Sequence, residues 1–172
     1  MKANVLVDSC GWIEYFTGGT LADKYEPHIS NASGRTHFTP TIVLYEVYRR
    51  VKQELGEELA TEACARIMGY TTTVPLDDRL AMEAAEISLE HGLSMADAIV
   101  KATADFCMAK IVTSDEHLGK LKDVQMIEKV KIAISYGVRA SQSLAKVMKR
   151  NFWVDGFLKE LEAINGGVSI FI

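Results

Sequence analysis

The amino-acid sequence predicts an α/β protein whose central sheet is mostly parallel and is covered by helices on both faces. Short β-branched runs, such as 3–7 and 111–113, alternate along the chain with longer segments of helical periodicity. Strands that alternate with helices favour parallel pairing, because a helix carries the chain back from the end of one strand to the start of the next. Ligands of such sheets bind beyond the carboxyl ends of the strands.

Hydrophobic periodicity and capping residues place the individual elements. The predicted strands span 3–7, 36–39, 71–76, 111–113 and 124–127. The predicted helices span 9–16, 21–29, 41–55, 58–68, 77–91 and 94–110. Ser9 is a suitable N-cap for the first helix, and Pro40 suits the first turn of the third. Gly92 suits the end of the fifth helix, and Ser94 with Asp97 forms a capping-box pattern at the start of the sixth.

Length and charge limit the kinds of protein that the chain can be. The 172 residues suit one domain, or one compact domain with an appendage, and a 48% hydrophobic share is ordinary for a soluble folded protein. A formal net charge of -4 argues against a protein that holds nucleic acid through a broad basic surface. If nucleic acid is the substrate, we therefore expect bound metal ions and a few local cations to hold the phosphates.

Cysteine usage and hydropathy predict a cytoplasmic protein that does not enter a membrane. Cys10, Cys64 and Cys107 are far apart and form no CxxC pair, so neither a disulfide framework nor a zinc site is expected. The apolar run 3–7 is too short for a signal sequence. No stretch reaches the roughly 18 uninterrupted apolar residues that a membrane helix needs.

Four acidic residues stand where a ligand of a parallel sheet would bind. Asp8 and Asp115 follow predicted strands, Asp97 lies in a first helical turn, and Glu46 lies in the helix over 41–55. Each has an ordinary structural explanation. Asp8 and Asp115 suit turns or N-caps, Asp97 suits a capping box, and Glu46 suits an exposed helical position.

The grouping of these acids is harder to explain by structure alone. Glu46 lies on the edge of the apolar stripe of its helix, where a carboxylate is costly to bury unless it is paired. Two carboxylates about 4 Å apart repel by about 4 kcal/mol at an effective dielectric near 20. Four together should therefore take up protons or recruit a cation, and Mg²⁺ or Mn²⁺ is the natural partner of oxygen ligands. Composition and spacing predict a metal site in an α/β protein.

Each of the four acids lies in a short characteristic segment. The segments are Val5-Leu6-Val7-Asp8-Ser9, Thr41-Ile42-Val43-Leu44-Tyr45-Glu46-Val47, Leu93-Ser94-Met95-Ala96-Asp97-Ala98-Ile99-Val100 and Ile111-Val112-Thr113-Ser114-Asp115-Glu116-His117-Leu118. They resemble the PIN-domain family, and within it the VapC-type toxin ribonucleases of VapBC toxin–antitoxin pairs. Their order and spacing match the family over about residues 1–130. The resemblance implies a PIN-like three-layer α/β/α domain over 1–130.

The resemblance also implies an activity and a set of roles. It implies a Mg²⁺- or Mn²⁺-dependent endoribonuclease that acts on RNA, is often a homodimer and is commonly restrained by an antitoxin. By position, Asp8, Glu46, Asp97 and Asp115 would be the catalytic, metal-binding acids. The small polar residues Ser9 and Thr113 would support the ligands or the attacking water. His117, close after the last acid, is expected to shape a loop rather than to catalyse, and Lys101 either meets a phosphate, pairs with an acid or is solvated.

The last forty or so residues depart from the resemblance. Residues 131–172 predict a C-terminal extension that is mainly helical, with one further strand over 131–136 and one or two helices over 141–164. We expect this extension to pack on the same domain or on a dimer partner. Two alternatives to the toxin stay open: an RNA-processing PIN nuclease without an antitoxin, for which the unusual extension leaves room, and a catalytically silent PIN-like binding module.

Overall fold

The computed structural model of the chain describes residues 3–128. The strands are β1 (Asn4–Val7), β2 (Phe38–Pro40), β3 (Thr72–Val74), β4 (Ala109–Thr113) and β5 (Val124–Met126). The α-helices are α1 (Ser9–Thr17), α2 (Ala22–Ile29), α3 (Thr41–Leu55), α4 (Glu57–Tyr70), α5 (Asp78–His91) and α6 (Met95–Phe106). A short 3-10 helix spans Leu118–Lys120. The C-terminal extension predicted over 131–172, with its strand and helices, lies outside the described residues, and the domain boundary near 130 stays a prediction.

All strand pairing within residues 3–128 is parallel, as the sequence predicts. One group of strands has the order β1-β4-β5, and β2 pairs with β3. A parallel bridge between Val5 and His37, together with a 2.8 Å hydrogen bond from the Val5 N–H to the Thr36 carbonyl oxygen, joins the two groups. The α/β class with a parallel sheet is therefore confirmed. Parallel pairing brings the carboxyl ends of neighbouring strands to the same edge.

The core lies between these strands and the helices that pack on them. Helices α1 and α6 both contact β4, and α3 contacts α1, α4 and α6. The buried stripe of α3 consists of Val43, Val47 and Val51, which recur at helical spacing. The largest fully buried side chains outside α3 are Trp12, Tyr25, Leu6, Ile67, Ile111 and Leu118. In the described part of the chain, no helix is long and apolar enough to cross a bilayer.

Some predicted boundaries are wrong, each for a local reason. The N-cap of α1 is Asp8 rather than Ser9, because Asp8 keeps an extended backbone while Ser9 is already helical. Pro40 is the last residue of β2 rather than part of the first turn of α3. Helix α6 ends at Phe106, short of the predicted Lys110, because Met108 takes a left-handed φ of 48° and Lys110 pairs with β1.

Candidate active site at the carboxyl end of the sheet

Asp8 stands where β1 ends and α1 begins. The register pairs Val7 with Val112, so β1 and β4 end side by side. The Asp8 N–H donates to the Val112 carbonyl oxygen at 3.1 Å, and the Asp8 carboxylate accepts from the Ser9 N–H at 2.7 Å. The strand ladder and the helix cap together fix this side chain.

The Asp8 carboxylate is buried, with only 5% of the residue exposed. Its Oδ2 accepts from the Thr113 hydroxyl at 2.7 Å and from the Cys10 thiol at 3.2 Å. Burial raises the pKa of Asp8 above its ordinary value, although these hydrogen bonds partly oppose the shift. An ionised Asp8 is therefore costly, and a nearby cation would stabilise it.

Glu46 lies half-buried on α3 and faces the same acids. Burial raises the pKa of Glu46, and the charges of Asp8 and Asp97 raise it further. A hydrogen bond with the Ser9 side chain and the charge of Arg49 act in the opposite direction. Ser9 thus touches two of the predicted acids, Asp8 through its backbone and Glu46 through its hydroxyl.

Asp97 occupies the first turn of α6 and completes the predicted capping box. The Asp97 N–H donates to Ser94 Oγ at 3.2 Å, and the Ser94 hydroxyl donates to Asp97 Oδ2 at 2.8 Å. The charge of Asp97 also raises the pKa of both Asp8 and Glu46. The ordinary structural explanation is therefore correct for Asp97, and the structure still brings three of the four acids within electrostatic reach of one another.

Asp115 follows β4 and is connected to Asp8 through Thr113. The Asp115 N–H donates to Thr113 Oγ1 at 3.0 Å, and the same hydroxyl donates to Asp8. Asp115 Oδ1 accepts from the His117 N–H at 2.7 Å and lies 3.1 Å from the His117 ring nitrogen Nδ1. The half-buried Asp115 thus stands at the same end of the sheet, while His117 is exposed and holds the loop after β4.

The carboxylate oxygens of these acids suit a hard divalent cation, but the acids do not form a complete metal-binding site by themselves. Among residues 3–128, no group of three or more His, Cys, Asp or Glu side chains is arranged so that it could hold a metal ion as it stands. Mg²⁺ commonly keeps several waters and binds through one or two carboxylates together with substrate phosphates. Such an ion would stabilise the ionised forms of the buried Asp8 and the half-buried Glu46, because burial and the charge of Asp97 raise the pKa of both carboxyl groups.

Comparison with known families identifies the fold. The family model of the PIN domain matches residues 5–124, which is more than half of the chain. The chain belongs to the PIN-domain family. Comparison with curated protein sequences gave no match.

Solved structures share the architecture of this PIN domain. A toxin–antitoxin complex from Klebsiella pneumoniae matches with a TM-score of 0.60 and 18% identity, over 72% of this chain and 97% of that one. VapC20 from Mycobacterium tuberculosis, a sarcin-ricin loop cleaving toxin, matches with a TM-score of 0.59 and 18% identity, over 67% and 93%. VapBC2 from Rickettsia felis, bound to a DNA fragment from its promoter, matches with a TM-score of 0.57 and 12% identity, over 72% and 98%. At these identities the likeness concerns the fold.

The PIN domain contains a hydrogen-bonded network at Cys10 that the sequence analysis missed. The Cys10 sulfur lies 3.2 Å from Asp8 Oδ2, 3.3 Å from the Tyr25 hydroxyl and 3.3 Å from Thr113 Oγ1, and it accepts from the Ser114 N–H at 3.4 Å. Cys10 thus connects α1, α2 and the end of β4 around the Asp8 carboxylate. The available signal was its place two residues after Asp8.

The structure excludes the interpretation of Lys101 as a solvated surface lysine. The residue is buried on α6, and its ammonium group donates to Asp105 one turn further along the helix. Of the three interpretations considered from the sequence, the structure supports pairing with an acid.

Proposed function

We propose that this PIN domain is a divalent-metal-dependent endoribonuclease that hydrolyses RNA phosphodiester bonds and acts as the toxin of a toxin–antitoxin pair. The observation that carries the proposal is the convergence of acids from separate elements. The Thr113 hydroxyl donates to Asp8 at 2.7 Å and accepts from the Asp115 N–H at 3.0 Å, and the charge of Asp97 raises the pKa of both Asp8 and Glu46. Acids that served only as caps or surface residues would have no reason to meet. Membership of the PIN family and the shared fold of VapC toxins support the same proposal.

The residues present fit Mg²⁺ or Mn²⁺, with Asp8, Glu46, Asp97 and Asp115 as the proposed ligands. A bound ion of this kind supplies activated water and stabilises the negative charge of a phosphodiester under attack. Asp8 is the most firmly held acid, since a helix cap, a hydroxyl and a thiol all fix its two oxygens. We assign it the central place in the site.

Ser9 and Thr113 are proposed to position the acids. Ser9 reaches Asp8 and Glu46, and the Thr113 hydroxyl stands between Asp8 and the backbone of Asp115. Loss of the Thr113 hydroxyl would therefore free two proposed ligands, whereas loss of the Ser9 hydroxyl would free Glu46 and leave the backbone hydrogen bond to Asp8 in place.

Cleavage of total RNA tests the activity. Wild-type protein is incubated with Mg²⁺, with Mn²⁺ and with a chelator, and the products are mapped by their ends. We expect discrete cleavage with either ion, none with the chelator, and a loss of at least about a hundredfold in rate for Asp8→Asn, since a missing metal ligand removes transition-state stabilisation of that order.

Asp123→Asn is the matched control, because Asp123 is an exposed acid that precedes β5, away from the carboxyl ends of the strands. It should cleave as the wild type does. Cleavage that persists at full rate in Asp8→Asn would show that the activity comes from elsewhere. Absence of cleavage by wild type with both ions would favour the silent binding module instead.

The toxin assignment is proposed by analogy with structures that include VapBC complexes. It predicts that expression of the wild-type chain arrests growth and that the product of a small adjacent gene relieves the arrest. Growth that continues while RNA is cleaved in vitro would favour an RNA-processing nuclease. Homodimer formation and a cytoplasmic location stay predictions, and light scattering of the purified chain measures the first.

A further inference from the structure

The outer ridge of α3 presents an exposed aromatic ring and an exposed cation beside the candidate active site. The buried stripe of this helix is Val43, Val47 and Val51. At 3.6 residues per turn, Tyr45 and Arg49 lie on the opposite side, four residues apart and therefore next to each other. Glu46, the proposed ligand on this helix, lies three residues before Arg49, so Arg49 has Tyr45 on one side and Glu46 on the other.

The Tyr45 ring contributes little to the packing of the described domain. It is 61% exposed, and within residues 3–128 its ring takes part in no aromatic pair and no cation–π contact. Its neighbour Tyr48 differs, since Tyr48 is half-buried and lies beneath the Lys52 ammonium at 5.4 Å. The exposed ring of Tyr45 is available to a flat ligand.

Arg49 differs from the other two cations of α3, which are each paired with an acid. Arg50 pairs with Glu54 at 2.7 Å, and Lys52 pairs with Glu57 at 2.9 Å. Arg49 is exposed and forms no salt bridge with any of the residues that the structure describes. Its charge instead acts on Glu46 at the rim of the acid group. In a chain of net charge -4, such a cation is a local site for an anion.

We propose that Tyr45 and Arg49 bind the unpaired nucleotide next to the scissile phosphate, with its base stacked on the Tyr45 ring and its phosphate held by the Arg49 guanidinium. The proposal rests on the proposed function and adds to it the two residues that hold the nucleotide beside the cleaved bond. Stacked bases must leave a duplex to reach an aromatic side chain, whereas unpaired bases stack readily. Arginine matches the geometry of a phosphate through two parallel hydrogen bonds.

Binding is measured on full-length Asp8→Asn protein by fluorescence anisotropy, with a labelled single-stranded RNA of mixed sequence as the probe, so that cleavage does not interfere. We expect Tyr45→Ala to weaken binding about tenfold, the effect of losing one base-stacking contact. Arg49→Gln should lower the slope of log affinity against log salt by about 0.7, the contribution of one phosphate contact on a single strand. Tyr45→Phe should retain most of the affinity. Arg49→Lys should retain the salt dependence but lose part of the affinity, because lysine keeps the charge and cannot form the two parallel hydrogen bonds.

Two matched controls remove the same chemistry elsewhere. Tyr70→Ala deletes an exposed tyrosine that precedes β3 at the other end of the sheet, and Arg50→Gln deletes the neighbouring cation that Glu54 already pairs. Both should bind as the Asp8→Asn parent does. On a fully paired RNA duplex, Tyr45→Ala should also bind as the parent, because the bases are not available to the ring.

The proposal is overturned if Tyr45→Ala and Arg49→Gln bind single-stranded RNA as their controls do, or if Tyr45→Ala loses affinity equally for single strand and duplex. A changed molecular mass in light scattering with unchanged RNA affinity would also overturn it and identify the ridge as a protein interface. In the catalytically intact chain, the two variants should raise KM with little change in kcat. Absence of RNA cleavage by the wild type would count against the proposed function, while the binding result would still decide this inference.

Discussion

Replacing Thr113 by valine removes one hydroxyl that joins two of the proposed metal ligands. Thr113 is fully buried in β4, and valine keeps its branched shape. Its hydroxyl donates to Asp8 Oδ2 at 2.7 Å and accepts from the Asp115 N–H at 3.0 Å. The substitution therefore leaves the shape of the core nearly unchanged and removes these two hydrogen bonds, together with the weaker 3.3 Å contact between the hydroxyl and the Cys10 sulfur.

The two lost hydrogen bonds give the expected magnitude. A hydrogen bond to a charged carboxylate contributes about 1.5–3 kcal/mol, and a neutral one contributes about 0.5–1.5 kcal/mol. We expect Thr113→Val to lower the free energy of unfolding by about 2–4 kcal/mol. Because the Thr113 hydrogen bond lowers the pKa of Asp8, its loss raises that pKa further. Protons then compete better with a metal ion, and the midpoint of metal binding moves to higher pH.

Urea unfolding followed by circular dichroism measures the stability, and Mn²⁺ binding at a series of pH values measures the competition. Thr103→Val is the matched control, because Thr103 is equally buried on α6 but its hydroxyl donates only to the Ile99 carbonyl within the helix. That control should cost less than about 1 kcal/mol. If Thr113→Val loses no more stability than Thr103→Val and binds Mn²⁺ with the wild-type pH midpoint, the reasoning about Asp8 is refuted.

Further predictions concern pH, the thiol network and one strained position. Burial raises the pKa of Asp8 and Glu46, so the melting temperature of the metal-free protein should fall as pH rises from about 4 through the raised pKa values of the folded state. Saturating Mg²⁺ should reduce this fall in thermal scans, and a melting temperature that rises over this range without metal would contradict the prediction. Cys10→Ala should lower the free energy of unfolding in urea by about 1–2 kcal/mol, because the buried Tyr25 hydroxyl and Asp8 each lose a partner, while Cys10→Ser should lose less; equal losses would argue against the network. Met108→Gly should stabilise the protein by about 0.5–1 kcal/mol in the same assay, since Met108 is 85% exposed with a left-handed φ of 48°, and destabilisation would indicate that its side chain packs.

The parts of the fold that were predictable depend on local signals. Asp77 caps α5 by accepting from the Leu80 N–H at 2.8 Å, and Gly92 ends the same helix in the left-handed conformation. Both residue types report their role directly in the sequence. The end of α6 carried no such signal, because a methionine occupies the left-handed position at Met108, and Lys110 is assigned to a strand only by its pairing with Val5.

In the candidate site, too, local signals in the sequence predicted some features and tertiary packing determined the others. Parallel topology was sufficient to expect Asp8 and Asp115 at one edge, because each follows a strand of the same sheet. The contact of Cys10 with Tyr25 depends on how α2 packs against α1, which no local pattern in the sequence encodes. The same holds for Lys101, whose burial is decided by the packing around α6. Residue types thus indicate the candidate ligands, whereas the hydrogen-bonded network that positions them depends on tertiary packing.

Calorimetric titration of Mg²⁺ and Mn²⁺ into the full-length chain tests the central claim most directly, since it asks whether the converging acids bind a divalent ion at all. Wild type and the Asp123→Asn control should each show saturable binding, and Asp8→Asn should weaken it by at least about tenfold, the usual cost of disturbing the ligands of a metal site. Equal binding by Asp8→Asn and wild type, or no saturable binding by the wild type, would contradict the account.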